Sequence, residues 1–98
     1  MREDQKKILK DAIYIYGKEA QTQMIYEEIG EFLSVIGKFL RDRTTEEEVI
    51  DEIADCLIMF NQAALMFGET KVSDQINFKL DRLKSRLDKI RPPERDTK

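Results

Sequence analysis

Apolar residues recur along this chain at helical spacing, with no stretch of strict alternation and few turn residues between them. Ile8, Leu9, Ala12, Ile13 and Tyr16 fall on one side of a first helix over about residues 4–16. Gly17 either ends that helix or kinks it, and the sequence leaves both open. Ile25, Ile29, Phe32, Ile36 and Leu40 predict a second helix over about residues 20–40, with "RDRTT" as the turn that follows. Thr45 with Glu48 makes a capping box, the hydroxyl meeting a free amide and the glutamate reaching back. The third helix therefore starts near Glu46 and runs to about Phe67, where Gly68 suits a left-handed cap. Val72, Ile76, Leu80, Leu83, Leu87 and Ile90 predict a fourth helix over about residues 72–90, stopped by Pro92 and Pro93. Residues 91–98 read as a loose, charged tail. No internal repeat or second domain is visible, so the expected fold is all-α: one domain over residues 1–98, a four-helix-type bundle.

Two acidic pairs interrupt this pattern, Glu28 with Glu31 and Glu52 with Asp55. Acids three apart are common by chance in a chain this acidic, as Glu48 with Asp51 illustrates, so their placement matters more than their spacing. With Asp55 at the centre of one face, at about 100° per residue, Glu48, Glu52, Met59, Gln62 and Met66 lie within roughly 60° of it. The opposite face holds Val49, Ile53, Leu57, Phe60 and Ala64, an ordinary core stripe. Past Asp55 the helix is apolar nearly all round, and such a helix is buried on every side. In the second helix Glu28 and Glu31 lie with Met24, Val35 and Lys38, away from the Ile29 stripe. Each helix thus has one face for its own core and a mixed face for a second protomer or a ligand pocket to cover.

If the two helices run antiparallel about "RDRTT", Glu31 and Asp55 come to nearly the same height. Four carboxylates in one sheltered pocket repel one another and lose hydration, unless they take up protons or bind a cation. Oxygen-only ligands suit Mg²⁺, with Mn²⁺ as a substitute. The absence of histidine argues against a di-iron centre of the Glu-x-x-His type and against the usual Zn²⁺ hydrolases. No glycine-rich phosphate loop is present either. Any hydrolysis would use metal-activated water with a carboxylate as base.

Composition narrows the setting. A chain of 98 residues with a net charge of −3 lacks the basic stripe of a nucleic-acid binder. Its single cysteine, Cys56, and its charged first residues, "MREDQKKILK", point to a soluble cytoplasmic protein without a secretory signal. The greasiest segment, "IADCLIMFNQAALMF", is too short for a bilayer, so no membrane partner is expected. A helical domain this small gains stability from copies of itself, and the two-faced helices predict a homodimer or homotetramer.

The pattern Glu27-Glu28-x-x-Glu31, about twenty residues, then Glu52-x-x-Asp55 resembles the signature of the MazG-like all-α nucleoside triphosphate pyrophosphohydrolases. That superfamily also holds dimeric dUTPases, dCTP pyrophosphatases and phosphoribosyl-ATP pyrophosphohydrolases. "YGKEAQTQMIYEEIGEFLSVIGKFLRD" and "EEIADCLIMFNQAALMFG", followed by a basic amphipathic helix, look like its small single-domain phage and bacterial members. The likeness covers most of the chain. It implies Mg²⁺-dependent cleavage of a (deoxy)nucleoside triphosphate to the monophosphate and pyrophosphate, in cleansing of nucleotide pools.

By the same resemblance Glu28, Glu31, Glu52 and Asp55 match the metal-binding positions, and Glu28 or Glu31 would orient the attacking water. Lys38 lies on the side of Glu31, where it could neutralise phosphate, or is simply an exposed lysine. Gln62 stands where many relatives carry an asparagine near the substrate, which leaves base and sugar recognition open. Met24, Met59 and Met66 line a base pocket or pack against a partner helix, and Cys56 is expected to be a packed thiol. Two non-catalytic readings stand beside the enzyme: a helical interaction module whose acidic face meets a basic partner, and a nucleotide sensor that has kept the site but lost the activity.

Overall fold

The computed structural model describes residues 1–90; the segment read as a tail, with Pro92 and Pro93, lies outside them. Four helices account for nearly all of it: α1 (Glu3–Tyr16), α2 (Lys18–Leu40), α3 (Glu46–Phe67) and α4 (Glu69–Ile90). No strand occurs among the described residues, so the fold is all-α. None of these helices is long and apolar enough to cross a membrane.

Two of the joints are single glycines. Gly17 sits at φ 94° and ψ 151°, a region open essentially to glycine alone. Its amide donates to the Ile13 carbonyl at 2.9 Å, while its own carbonyl accepts from the Gln21 amide at 3.1 Å. The residue therefore ends α1 and begins α2 with no loop between, so α2 starts at Lys18 rather than near Ala20. Gly68, at φ 126°, does the same for α4, which starts at Glu69 rather than Val72.

The α2–α3 turn closes differently. Asp42 takes the left-handed position at φ 58°, which aspartate tolerates better than most residues. The Asp42 and Arg43 amides donate back to Phe39 and Lys38 at 3.0 and 2.8 Å, the paired bonds of a Schellman end. Half of the expected capping box then starts α3: the Glu48 amide donates to the Thr45 hydroxyl at 3.2 Å. The Glu48 carboxylate accepts instead from the Thr44 hydroxyl, which holds it at the turn.

The chain divides into one compact unit, Met1–Phe67, and a second that begins at Gly68. In the first, α2 lies along α3 and α1 rests on both. Cross-links join Gln21 to Gln62 and Glu28 to Cys56, so α2 and α3 run antiparallel. In the second, α4 carries Val72, Ile76, Leu80, Leu83, Leu87 and Ile90 on one side, all exposed.

The first unit corrects the expected orientation of α3. Cys56, Met59 and Gln62 are its buried residues, with Glu52 and Asp55 half-buried beside them. Of the expected core stripe Ile53, Leu57 and Phe60 are exposed instead, and only Val49 and Ala64 are half-buried. On α2 the expected stripe is half-buried through Ile36, but Leu40 is exposed; on α1 Leu9 is buried while Ile8 and Tyr16 are not. The reason is polar. Gln62 is only 2 % exposed and donates to the Gln21 side-chain oxygen at 2.7 Å and to the Leu9 carbonyl at 3.5 Å. An amide so deep needs those partners, and only the mixed face offers them.

Removing one half of this pair should be costly, and removing both should not. Gln62→Ala strands the Gln21 amide and opens a cavity, a loss of about 1–3 kcal/mol or more in urea unfolding. Joint replacement, Gln21→Leu with Gln62→Leu, should recover most of that loss. An equal loss in the double variant would refute the pairing argument.

Candidate metal centre

The acidic pairs sit further along the same seam. On a helix, residues three apart stand about 60° and under one turn from each other, so each pair points as a unit. The antiparallel register then sets the α2 pair opposite the α3 pair. Glu28, Glu31 and Glu52 each place a carboxylate oxygen within 4.8 Å of the others. Asp51, Glu52 and Asp55 form a second such group, so Glu52 belongs to both. Asp51 is the member that sequence reasoning missed. At about 100° per residue it stands about 40° from Asp55, nearer than Glu52 at about 60°, so helical periodicity could have found it.

Burial makes this cluster unlike a solvated acidic face. Glu28 and Glu52 are half-buried, and one oxygen of each, Oε1 in both cases, is sealed from solvent without a hydrogen-bond partner. Among the described residues no lysine or arginine pairs with Glu28, Glu31, Glu52 or Asp55. Loss of hydration raises the Glu28 pKa above its ordinary 4.5, and the charges of Glu31, Asp55, Glu52 and Glu27 add to the shift. Glu52 moves the same way, first through burial and then through Glu31, Asp55 and Asp51.

Cys56 is the packed thiol that the sequence suggested. It is buried, and its Sγ donates to the Glu28 carbonyl at 3.6 Å, tying α3 to α2 at the level of the acids. Burial and the four neighbouring carboxylates push its pKa up, which suppresses the reactive thiolate.

The other predicted positions scatter. Lys38 is exposed on α2, two turns beyond Glu31 and on a similar bearing. Gln62 lies at the far end of the seam, with its amide committed to Gln21 and Leu9. Met59 is buried and Met66 half-buried, whereas Met24 lines a cavity of ≈ 420 Å³ with Tyr16, Ala20, Gln21, Gln23 and Glu27. A smaller cavity of ≈ 270 Å³ borders the acids themselves, lined by Val35, Glu47, Glu48, Asp51 and Glu52.

Such a site has one evident chemical capacity. Convergent carboxylates with unpartnered oxygens and no nitrogen or sulfur donor fit a hard divalent cation, which would supply the missing partner for both sealed atoms. No family model, no curated protein and no solved structure matches this chain. The likeness to the pyrophosphohydrolases therefore rests on the motif residues.

The raised pKa values carry a definite sign. Between 4.5 and the raised values the folded chain holds protons that the unfolded chain has released, so metal-free stability falls as pH rises through that window. Glu28→Gln should flatten the fall and raise the melting temperature at neutral pH. Thermal melts of both proteins in chelator, from pH 4.5 upward, test it. Parallel profiles for the two would contradict the strained cluster.

Proposed function

We propose that the acidic cluster holds Mg²⁺ and that the chain is a MazG-like pyrophosphohydrolase, cleaving nucleoside triphosphates between the α- and β-phosphates. The observation that carries this reading is the convergence of Glu28, Glu31 and Glu52 oxygens within 4.8 Å, two of the carboxylates having a sealed, unpartnered atom. Glu28, Glu31, Glu52 and Asp55 are the ligands. Bound Mg²⁺ or Mn²⁺ supplies charge neutralisation for the phosphate oxygens and a lowered pKa for water beside them.

The protein's own part is positioning. Glu28, with its sealed oxygen, suits a fixed ligand. Glu31 is exposed and stays in contact with incoming water, so it can orient that water and accept its proton. The water oxygen bonds to phosphorus as the bridging α–β bond breaks, and pyrophosphate leaves with the electron pair. Lys38 adds a positive charge on the approach to an otherwise acidic groove, where a polyphosphate needs one. Gln62, enclosed within the fold, takes no part in recognition on this reading.

The same site without turnover would make a nucleotide sensor, and an acidic face without metal would make an interaction module. One set of measurements separates the three. With Mg²⁺ the full chain should melt at a higher temperature and should release pyrophosphate from at least one of a panel of common and damaged triphosphates. Glu31→Ala and Asp55→Ala should each lower that rate by about 100-fold or more. Calorimetric binding without release would point to the sensor. No Mg²⁺-dependent rise in melting temperature and no turnover would leave the interaction module.

A further inference from the structure

The cavity of ≈ 420 Å³ at the N-terminal end of α2 is of a size that holds small molecules. The single-residue joint at Gly17 builds it, by folding the end of α1, with Tyr16, against the first turns of α2. Tyr16, Ala20 and Met24 make its wall mostly apolar, and Gln21, Gln23 and Glu27 add polar atoms. No lysine or arginine lines it among the described residues. One of the polar groups is left unsatisfied. Gln21 is only 7 % exposed, and its side-chain oxygen accepts from the Gln62 amide nitrogen. That nitrogen also donates to the Leu9 carbonyl; a carbonyl needs a donor, so this second bond fixes which way both amides point. The Gln21 nitrogen is thereby turned to the other side, on the cavity wall, with no acceptor among the described residues. A donor so nearly buried without an acceptor is a place for one brought by a ligand.

Position along α2 ties this cavity to the acids. At about 100° per residue, Ala20, Met24, Glu27, Glu31 and Lys38 lie within roughly 60° of one another. Met24 stands about 6 Å along the helix from Glu28, and Lys38 about 10 Å beyond Glu31 in the opposite direction. Cavity, carboxylates and lysine therefore follow one another along a single face.

We infer that this cavity seats the nucleobase, and that Gln21 selects bases carrying a keto oxygen where cytosine and adenine carry an amino group. The inference rests on the pyrophosphohydrolase reading and gives its substrate an orientation. The flat, uncharged ring packs against Tyr16 and Met24, which offer an aromatic face and a soft thioether. The sugar spans the turn to the carboxylates, and the pyrophosphate end extends toward Lys38. Glu27 on the cavity wall repels phosphate, which disfavours the reverse orientation. The Gln21 N–H donates to the keto oxygen of uracil, thymine or guanine, whereas an amino group in that place sets donor against donor. Gln62 touches no part of the base; it holds Gln21 in the selecting orientation.

With Mg²⁺ the full chain should prefer UTP to CTP, or GTP to ATP, in ribose or deoxyribose form, by about tenfold or more in kcat/KM. The same order should appear in calorimetric titrations with the matching nucleoside monophosphates, a readout that needs no turnover. Gln21→Glu keeps an oxygen facing Gln62 and replaces the outer nitrogen by an acceptor, so the preference should reverse. Because an added acid could unsettle the fold, Ala20→Trp provides a second route, filling the cavity from an exposed position. It should weaken monophosphate binding by about tenfold and keep the Mg²⁺-dependent rise in melting temperature. Base-selective binding without turnover would sustain this inference and remove the hydrolase reading. Turnover indifferent to the base, a preference for the amino base, a preference that folded Gln21→Glu leaves unchanged, or full-strength binding by Ala20→Trp would each overturn the inference alone. Binding of none of these nucleotides would overturn both.

Discussion

Two carboxylate oxygens without partners, sealed between α2 and α3, are the constraint around which the first unit is organised. Burying unpaired acceptors is costly, and charging them beside two further carboxylates costs more. Helices with a free choice of face would turn such groups outward. Here the other end of the seam prevents that turn. The Gln62–Gln21 amide pair and the Leu9 carbonyl can meet only when the mixed faces of both helices point inward, and the same rotation carries Glu28 and Glu52 in with them. The Cys56 thiol on the Glu28 carbonyl fixes the register where the two pairs oppose. Polar contacts at one end thus enforce electrostatic strain at the other, and a bound cation would relieve it.

Much of this was legible in the sequence. Apolar recurrence located four helices, the Thr45 cap marked the start of α3 to the residue, and counting outward from the turn set Glu28 and Glu31 opposite Glu52. Those features depend on local periodicity and chain length, which a sequence carries in full. The one-residue joints at Gly17 and Gly68 were less visible, because a glycine in a helical pattern reads equally as a kink, a cap or a break.

The choice of face on α3 was not legible, and the reason is physical. Periodicity separates two faces of a helix but does not rank them when both carry large apolar side chains. Met59 and Met66 make the mixed face nearly as greasy as the stripe of Ile53, Leu57 and Phe60, and Cys56 stands at the border between the two. What decided between them was a hydrogen bond between residues 41 apart in sequence, which no local pattern announces. Asp51 was missed for a different reason. Its angle does not account for that, because at about 100° per residue it stands about 40° from Asp55, nearer than Glu52 at about 60°. Periodicity carried it, and only the search for acids three apart passed over it.

Together these features constrain how so small a unit stays folded. With few apolar side chains fully buried and a strained acidic pocket in its one long seam, the hairpin has little stability of its own to draw on. A cation in the groove would supply part of the rest: it would stabilise in proportion to the logarithm of its concentration, by giving the sealed oxygens of Glu28 and Glu52 the partner that the fold itself denies them.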